Sequence, residues 1–145
     1  MAMKRSGLAC LLLCCAALQG CVATYSPAPG EPTAQVRVVG WGRTQICRAG
    51  ELNWAPTTEG SKDMVTVPAG RRLTIGSHLS DAGYQVIHYC RPFMSFVPDA
   101  GKTYVLNSAL EGQGRCVVEL VREEPGRVNG LSVETSVGPP DCAKR

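Results

Sequence analysis

A chain of 145 residues, of which 44% are apolar, 19% charged and 6% aromatic, suits one domain rather than two. Its 16 Gly and 10 Pro predict many turns, and the composition excludes collagen, a coiled coil and a disordered charged tail. The net charge is +3, and it falls to +1 if Lys4 and Arg5 are removed. A surface this close to neutral argues against nucleic acid as a partner.

The N-terminus has the pattern of an export signal. Residues 1–5 include the basic pair Lys4 and Arg5, and residues 8–18 form an apolar run. A helix of this length rises about 16 Å, roughly half of a bilayer core. The pattern therefore predicts a signal peptide over residues 1–20 that is removed by cleavage. It predicts no membrane-spanning segment in the processed chain.

The tetrapeptide Leu18-Gln19-Gly20-Cys21 follows the apolar run. It resembles the lipobox of bacterial lipoproteins, in which the cysteine thiol receives a diacylglyceryl group and the peptide is cut just before it. The resemblance implies lipidation of Cys21 with acyl chains such as palmitate. Because Val22 rather than Asp comes next, it also implies the periplasmic face of the outer membrane. Gln19 departs from the usual small residue. Ordinary secretion, with cleavage after Ala23, is the alternative.

Residues 21–33 contain three prolines and show no apolar period. This composition predicts a semi-rigid tether, and twelve residues in polyproline form would reach about 37 Å. The domain over residues 34–145 is therefore expected to stand off the lipid surface.

Short β-rich runs separated by turn residues dominate the predicted domain. They lie near residues 36–39 (continued by 44–47), 64–67, 73–75, 84–90, 93–97, 103–106, 116–121 and 128–137. Pro68-Ala69-Gly70 predicts a hairpin between the runs that flank it. Tight turns in place of helical crossovers predict an all-β fold, an antiparallel β-sandwich or small barrel of seven to eight strands. An α+β domain, with a helical turn at Ser80-Asp81 or residues 108–112, is the alternative.

Four cysteines remain after processing, namely Cys47, Cys90, Cys116 and Cys142. An even number in an exported domain predicts two disulfides, and three pairings are possible. Cys90–Cys116 is favoured because both residues lie in strongly predicted strands. Cys47–Cys142 then holds the Pro-rich C-terminus. These bonds would offset a modest hydrophobic core.

A family resemblance lies within residues 65–121, which are 57 of the 145 residues. It is carried by Val65-Thr66-Val67-Pro68-Ala69-Gly70, Cys90, Phe96-Val97-Pro98-Asp99-Ala100-Gly101-Lys102-Thr103-Tyr104 and Cys116-Val117-Val118. These segments resemble small bacterial lipoprotein domains of unassigned function with a transthyretin-like sandwich. The resemblance implies a fold and supplies no catalytic residue.

Neither a metal nor a cofactor is predicted. The processed chain has no Cys-x-x-Cys or His-x-His, and its two histidines, His78 and His88, are ten residues apart. His88 shares a predicted strand face with Cys90, but a disulfide would occupy that thiol. A zinc site would need three or four converging ligands.

The chain is also predicted not to be an enzyme. Ser77, His78 and Asp81 are neighbours in sequence, but catalytic triads assemble in space. Gly101-Lys102-Thr103 lacks the glycine that a phosphate-binding loop needs five residues before its Gly-Lys pair.

Surface recognition is the remaining class. Trp54, Arg71 and Arg72 are the candidate partner contacts, because Trp and Arg are enriched in binding hot spots. The plainer interpretation is that Trp54 packs on the sandwich and the two arginines are solvated. Arg71 and Arg72 would also suit anionic lipid headgroups.

The expected function is a lipid-anchored lipoprotein of the periplasmic cell envelope with a non-catalytic binding or structural role. Its partners would be the membrane and an envelope protein. One alternative is an inhibitor or immunity protein against an envelope enzyme or toxin. Another is a soluble periplasmic carrier of a small apolar ligand, which would need a cavity lined by Val86, Phe93, Phe96 and Tyr104.

Overall fold

Two β-sheets form the domain in a computed structural model of the chain, which describes residues 24–40, 42–48, 50–56 and 64–142. The predicted signal peptide, Cys21 and Trp41 lie outside the described residues. The described strands are β1 (Thr33–Gly40), β2 (Arg43–Arg48), β3 (Glu51–Trp54), β4 (Met64–Pro68), β5 (Leu73–Gly83), β6 (Val86–Cys90), β7 (Phe93–Phe96), β8 (Thr103–Glu111), β9 (Arg115–Glu123) and β10 (Leu131–Val133).

The strands divide into two sheets of five. Sheet 1 has the order β10-β9-β8-β1-β4. Sheet 2 has the order β3-β2-β5-β6, and β7 also pairs with β5. Register follows from the period of two along each strand: Ile46, Ile75 and Met94 form one row across sheet 2, and all three are buried. The alternate residues of these strands lie on the outer face of sheet 2.

Fully buried side chains fill the space between the sheets. The largest are Tyr104, Phe96, Ile46, Ile75, Leu106, Val36, Val65 and Val67. The rings of Phe96 and Tyr104 meet edge to face with their centroids 5.1 Å apart. The four residues that a carrier would need around an internal cavity therefore do not line one. Phe96 and Tyr104 are core residues, Val86 is exposed, and Phe93 lies on the outer face of sheet 2.

The all-β sandwich with two disulfides is confirmed, with ten strands among the described residues rather than seven or eight. One pair, β1 with β8, is parallel, so the predicted antiparallel pairing holds for the other strand pairs only. The helical turn of the α+β alternative is wrong at Ser80-Asp81, which lies within β5. Near residues 108–112 only a single 3-10 turn, Gly112–Gly114, follows β8.

The predicted hairpin at Pro68-Ala69-Gly70 is also wrong. β4 pairs with β1 in sheet 1, whereas β5 pairs with β2 in sheet 2, so this turn carries the chain from one sheet to the other. Both strands send apolar side chains into the shared core, as with Val65 and Ile75. A turn between two such strands has the same local sequence in a hairpin and in a crossover.

The predicted tether is part of the domain from Thr24 onward. Tyr25 is only 3% exposed and belongs to the core cluster. Its N–H donates to the carbonyl of Trp54 at 2.9 Å, and the N–H of Ala69 donates to the carbonyl of Pro32 at 2.8 Å. Glu31 forms an ion pair with Arg71. One buried tyrosine among prolines was too weak a signal to overrule the composition.

The two disulfides have the predicted pairing. Cys47–Cys142 joins β2 to the C-terminal segment, with 5.6 Å between the Cα atoms and 95 residues of sequence separation. Cys90–Cys116 joins β6 of sheet 2 to β9 of sheet 1, with 6.3 Å between the Cα atoms and a separation of 26. In the chain-entropy account these loops correspond to about 4.7 and about 3.5 kcal/mol of stabilisation.

Candidate binding site on sheet 2

Aromatic side chains meet on the outer face of sheet 2. Trp54, Gln45, Gly76 and Phe93 occupy one row across β3, β2, β5 and β7. A Cβ atom on Gly76 would lie 2.5 Å from Cδ1 of Phe93 and 2.3 Å from the carbonyl oxygen of Pro92. Only glycine at this position lets the Phe93 ring approach the sheet so closely.

His78 is the centre of an aromatic cluster made of Trp54, His78, Tyr89 and Phe93. Its ring meets those of Trp54, Tyr89 and Phe93 edge to face, with centroids 5.1, 6.1 and 6.4 Å away. The Nε2 atom of His78 is buried and has no hydrogen-bond partner among the described residues. Burial lowers the pKa of His78, and the positive charges of Arg91 and Arg43 lower it further. The imidazole is therefore neutral at pH 7.

Two arginines stack on this cluster. The Cζ atom of Arg43 is 4.0 Å from the centroid of Trp54, and that of Arg91 is 5.2 Å from the centroid of Tyr89. Arg91 also donates from Nε to the Tyr89 hydroxyl. Within the described part of the chain neither arginine has a carboxylate partner. The surface is thus both apolar and cationic, which suits a partner with apolar and acidic groups.

The C-terminal segment of residues 136–142 crosses the same face, and we call it the strap. Gly138 exchanges two backbone hydrogen bonds with Ser95 of β7, at 2.8 and 3.0 Å. The hydroxyl of Thr74 donates to the carbonyl of Asp141 at 2.8 Å. Together with the disulfide of Cys142, these bonds hold the strap in place.

A groove of about 600 Å³ lies between the strap and the aromatic cluster. It is lined by Leu52, Thr74, Arg91, Pro92, Phe93, Pro140 and Cys142. Most of these side chains are apolar, and Arg91 is the one cation among them. Its size lies in the range of small-molecule sites, and its chemistry suits a small amphipathic anion.

At one end of sheet 2, β5 and β6 project as a hairpin of residues 79–90, the β5–β6 hairpin. Every residue from 80 to 87 is exposed. Tyr84 is 91% and Ile87 76% exposed, and Val86 and Tyr89 are also more than one-third exposed. The turn residue Gln85 has a φ of 62°, an uncommon left-handed conformation for a residue other than glycine.

The base of this hairpin is braced against sheet 1. Cys90 is bonded to Cys116 of β9. The His88 ring packs so closely on Gly114 that a Cβ atom there would lie 2.9 Å from Nδ1. An unsupported two-stranded hairpin is marginally stable, so these contacts give the projection its rigidity.

The structure does not bring the three predicted partner contacts together. Trp54 lies in β3, half-buried within the aromatic cluster. Arg71 pairs with Glu31 instead. Arg72 donates from Nη1 to the Ser95 hydroxyl at 2.9 Å and to the Ser136 carbonyl at 3.1 Å, so it holds the strap. Trp54 remains a candidate contact, whereas the two arginines have internal structural partners.

The remaining polar residues singled out in the sequence lie apart. The Ser77 hydroxyl is buried and 2.9 Å from that of Ser108, whereas His78 lies on the opposite face of β5 and Asp81 on the exposed hairpin. No group of three or more His, Cys, Asp or Glu side chains that could hold a metal occurs in the described ranges. Cys21, the predicted lipidation site, is outside them.

Sequence reasoning missed Arg43 and Arg91, and it missed Tyr84, Ile87 and Tyr89 of the β5–β6 hairpin as contact residues. A signal existed for Tyr89, because the alternation over residues 84–90 places Ile87 and Tyr89 on one strand face. No sequence signal marked Arg43 or Arg91. The stacking partner of Arg43 is distant in sequence, and that of Arg91 belongs to no motif.

Comparison with protein families, with curated proteins and with solved structures finds no match to this chain. None of the described residues forms a helix long and apolar enough to cross a membrane. The function is therefore inferred from the sequence and the geometry of sheet 2.

Proposed function

We propose that this chain is a lipid-anchored lipoprotein on the periplasmic face of the bacterial outer membrane, and that its domain binds a protein partner without catalysis. The lipobox-like sequence ending at Cys21 supports the anchor. Two disulfides fit an exported protein, because such bonds persist in oxidising compartments. The observation that carries the binding role is the β5–β6 hairpin, with apolar side chains exposed on both of its faces.

The hairpin has the properties of a preformed binding element. Tyr84 at its turn and Ile87 and Tyr89 on β6 offer large apolar surfaces. Tyrosine is enriched in binding hot spots, and a rigid element loses little conformational entropy on binding. The disulfide at Cys90 supplies that rigidity. A partner with an apolar cleft, wide enough for a two-stranded ribbon, fits this shape.

The anchor is tested by the intact mass of the protein from a bacterial membrane fraction, with and without reduction and alkylation. We expect a chain that begins at Cys21, carries three acyl chains, and offers four alkylatable thiols only after reduction. A lipid-free chain that begins at or after Thr24 would refute the anchor. Thiols that react before reduction would contradict the disulfides.

The binding role is tested by placing a photo-crosslinking residue at Tyr84 in cells. The control site is Val128, which is fully exposed in the connection between β9 and β10. We expect one major adduct from position 84, none from position 128, and loss of the adduct in Ile87→Ser. Surface substitutions of this kind change stability by only about 0.5 kcal/mol, so loss of the adduct reports binding. Equal adducts at both sites would contradict the proposal.

An inhibitor or immunity protein is a second candidate, and the shape of the same hairpin favours it. A braced ribbon with Tyr84 at its tip can enter the cleft of an envelope enzyme or toxin. If this is the role, the partner crosslinked at position 84 loses its activity when the protein is added. Ile87→Ser restores that activity.

The groove beside the strap favours a carrier of a small amphipathic anion as a third candidate. Laurate is a suitable probe, because its chain matches the apolar walls and its carboxylate matches Arg91. For a carrier, laurate raises the unfolding temperature of the protein but not of Arg91→Gln. Arg115→Gln, which removes an exposed arginine of sheet 1, serves as the matched control.

A further inference from the structure

The described chain begins against one edge of sheet 2. Thr24 forms a bridge with Trp54 of the edge strand β3. The next residue, Tyr25, donates its N–H to the Trp54 carbonyl at 2.9 Å, and its side chain is buried in the core. The point at which the chain leaves the domain toward its N-terminus is therefore fixed beside β3.

Little chain separates this edge from the lipidation site. Three Cα–Cα steps of 3.8 Å link Cys21 to Thr24, so their Cα atoms are at most about 11 Å apart. The inference rests on the proposed lipidation of Cys21, which attaches the acyl chains to that residue itself. The polar layer on each side of a bilayer core is only about 5–8 Å thick. β3 must therefore lie at or next to the headgroups, and the stand-off expected from a long tether is lost.

The side chains at this edge match a lipid surface. Trp54 is half-buried and amphipathic, a residue type concentrated where membrane meets water. Arg43 lies over its ring and has no carboxylate partner in the part of the chain that the structure describes. A guanidinium group matches the geometry of a phosphate. Leu52, exposed on the same strand, adds apolar surface.

We propose that the β3 edge of sheet 2, with Trp54 and Arg43, binds the anionic phospholipid headgroups of the membrane in which Cys21 is anchored. The acyl chains hold the protein to the membrane, and these side chains fix how the domain lies on it. β3 and β6 are opposite edges of sheet 2, so the β5–β6 hairpin stays available to a partner.

Fluorescence quenching in vesicles tests this contact. The lipidated full chain, carrying Trp41→Phe so that Trp54 alone reports, is reconstituted in phosphatidylethanolamine and phosphatidylglycerol with bromine on the acyl chains. The control is Trp41→Phe/Trp54→Phe/Val128→Trp, with its reporter in the β9–β10 connection. We expect brominated lipid to quench Trp54 several-fold more strongly than the reporter at position 128.

Charge is tested in the same vesicles. One arginine near an anionic surface strengthens binding about fivefold. Arg43→Gln should therefore lower the ratio of quenched to unquenched Trp54 about fivefold. With Arg43 in place, vesicles of brominated phosphatidylcholine alone should weaken the quenching of Trp54 to the same extent. Equal quenching in neutral and anionic vesicles would overturn the headgroup contact.

The two proposals fail in different ways. If the mass shows acyl chains but Trp54 is quenched no more than the control reporter, the membrane contact is refuted and the lipid anchor stands. If the mass shows no acyl chains, the anchor is refuted, and the contact that rests on it falls as well.

Discussion

The two sheets use their arginines in opposite ways. In and around sheet 1, arginines pair with carboxylates, as in Arg37–Glu123, Arg115–Glu111, Arg122–Asp99, Arg122–Glu124 and Arg127–Glu124. On sheet 2, Arg43 and Arg91 lie over the rings of Trp54 and Tyr89. Pairing neutralises the surface of sheet 1, whereas stacking leaves sheet 2 both cationic and apolar. This difference is the basis for our proposal that sheet 2 is the side that contacts partners.

Titration separates the two regions in the same way. The hydrogen bond from Arg122 lowers the pKa of Glu124 near sheet 1, and Arg127 adds to that effect. On sheet 2, burial is the main cause that lowers the pKa of His78. The charged form of Glu124 is thus favoured near sheet 1, whereas the charged form of His78 is disfavoured on sheet 2.

Removal of the disulfides should cause the largest loss in the free energy of unfolding. Cys47→Ala/Cys142→Ala should lower the free energy of unfolding by about 4.7 kcal/mol, and Cys90→Ala/Cys116→Ala by about 3.5, because the first loop is longer. The first change frees the strap on sheet 2, and the second frees the hairpin. Urea denaturation measures both. The reverse order of the two losses would contradict this account.

Gly76→Ala should cost about 1–3 kcal/mol, a typical penalty for overpacking. The added methyl group would collide with Phe93 and with the Pro92 carbonyl, so the aromatic cluster must move. Gly112→Ala is the control, since nothing lies within 4 Å of its Cβ position. Thermal unfolding and tryptophan emission report the change. Equal costs at the two positions would argue against the close approach of Phe93.

Salt should separate stacked from paired arginines. Arg43→Gln should cost about 0.5–1 kcal/mol through the lost cation–π contact. Arg37→Gln should cost about 0–1 kcal/mol at low salt through its ion pair with Glu123. At 1 M NaCl the Debye length is about 3 Å, so the exposed ion pair loses most of its effect. Urea titrations at both salt concentrations should show that only the cost of Arg37→Gln shrinks.

The smallest expected effect is on pH dependence. The pKa of His78 is lower in the folded chain, so the unfolded chain takes up its proton first as the pH falls. Stability should therefore be full above about pH 6.5, decline below it, and level off once folded His78 is protonated. His78→Phe should flatten this decline. Glu124→Gln should lower stability by a constant amount above about pH 4.5 and should change the slope of stability against pH only below it. A decline that persists in His78→Phe would assign it to another group.

The sequence predicted much of the fold because its strongest signals are local or countable. Strand propensity and turn residues marked most strands, and four cysteines left only three pairings. The sheet to which each strand belongs could not be predicted in this way. The turn at Pro68-Ala69-Gly70 has the same chemistry whether it closes a hairpin or changes sheets, and only the shared core decides between them.

The candidate site was less predictable because it assembles from distant positions. Trp54 was identified, but its neighbours His78 and Arg43 come from β5 and β2. Tyr25 stands beside a proline-rich stretch, and no alternation of apolar residues around it marks it as a core residue. Its burial depends on a space that other strands create.

In our proposal, sheet 2 contacts partners whereas sheet 1 faces solvent. Hydroxyl-radical labelling of the same protein in intact cells and in detergent solution tests this difference most directly. We predict that Trp54, Tyr84 and Tyr89 of sheet 2 are labelled much less in cells than in detergent. Val128 and Val133, exposed beside and within sheet 1, should be labelled equally in both. Equal labelling of the sheet 2 residues in the two preparations would contradict the assignment of sheet 2 as the contact side.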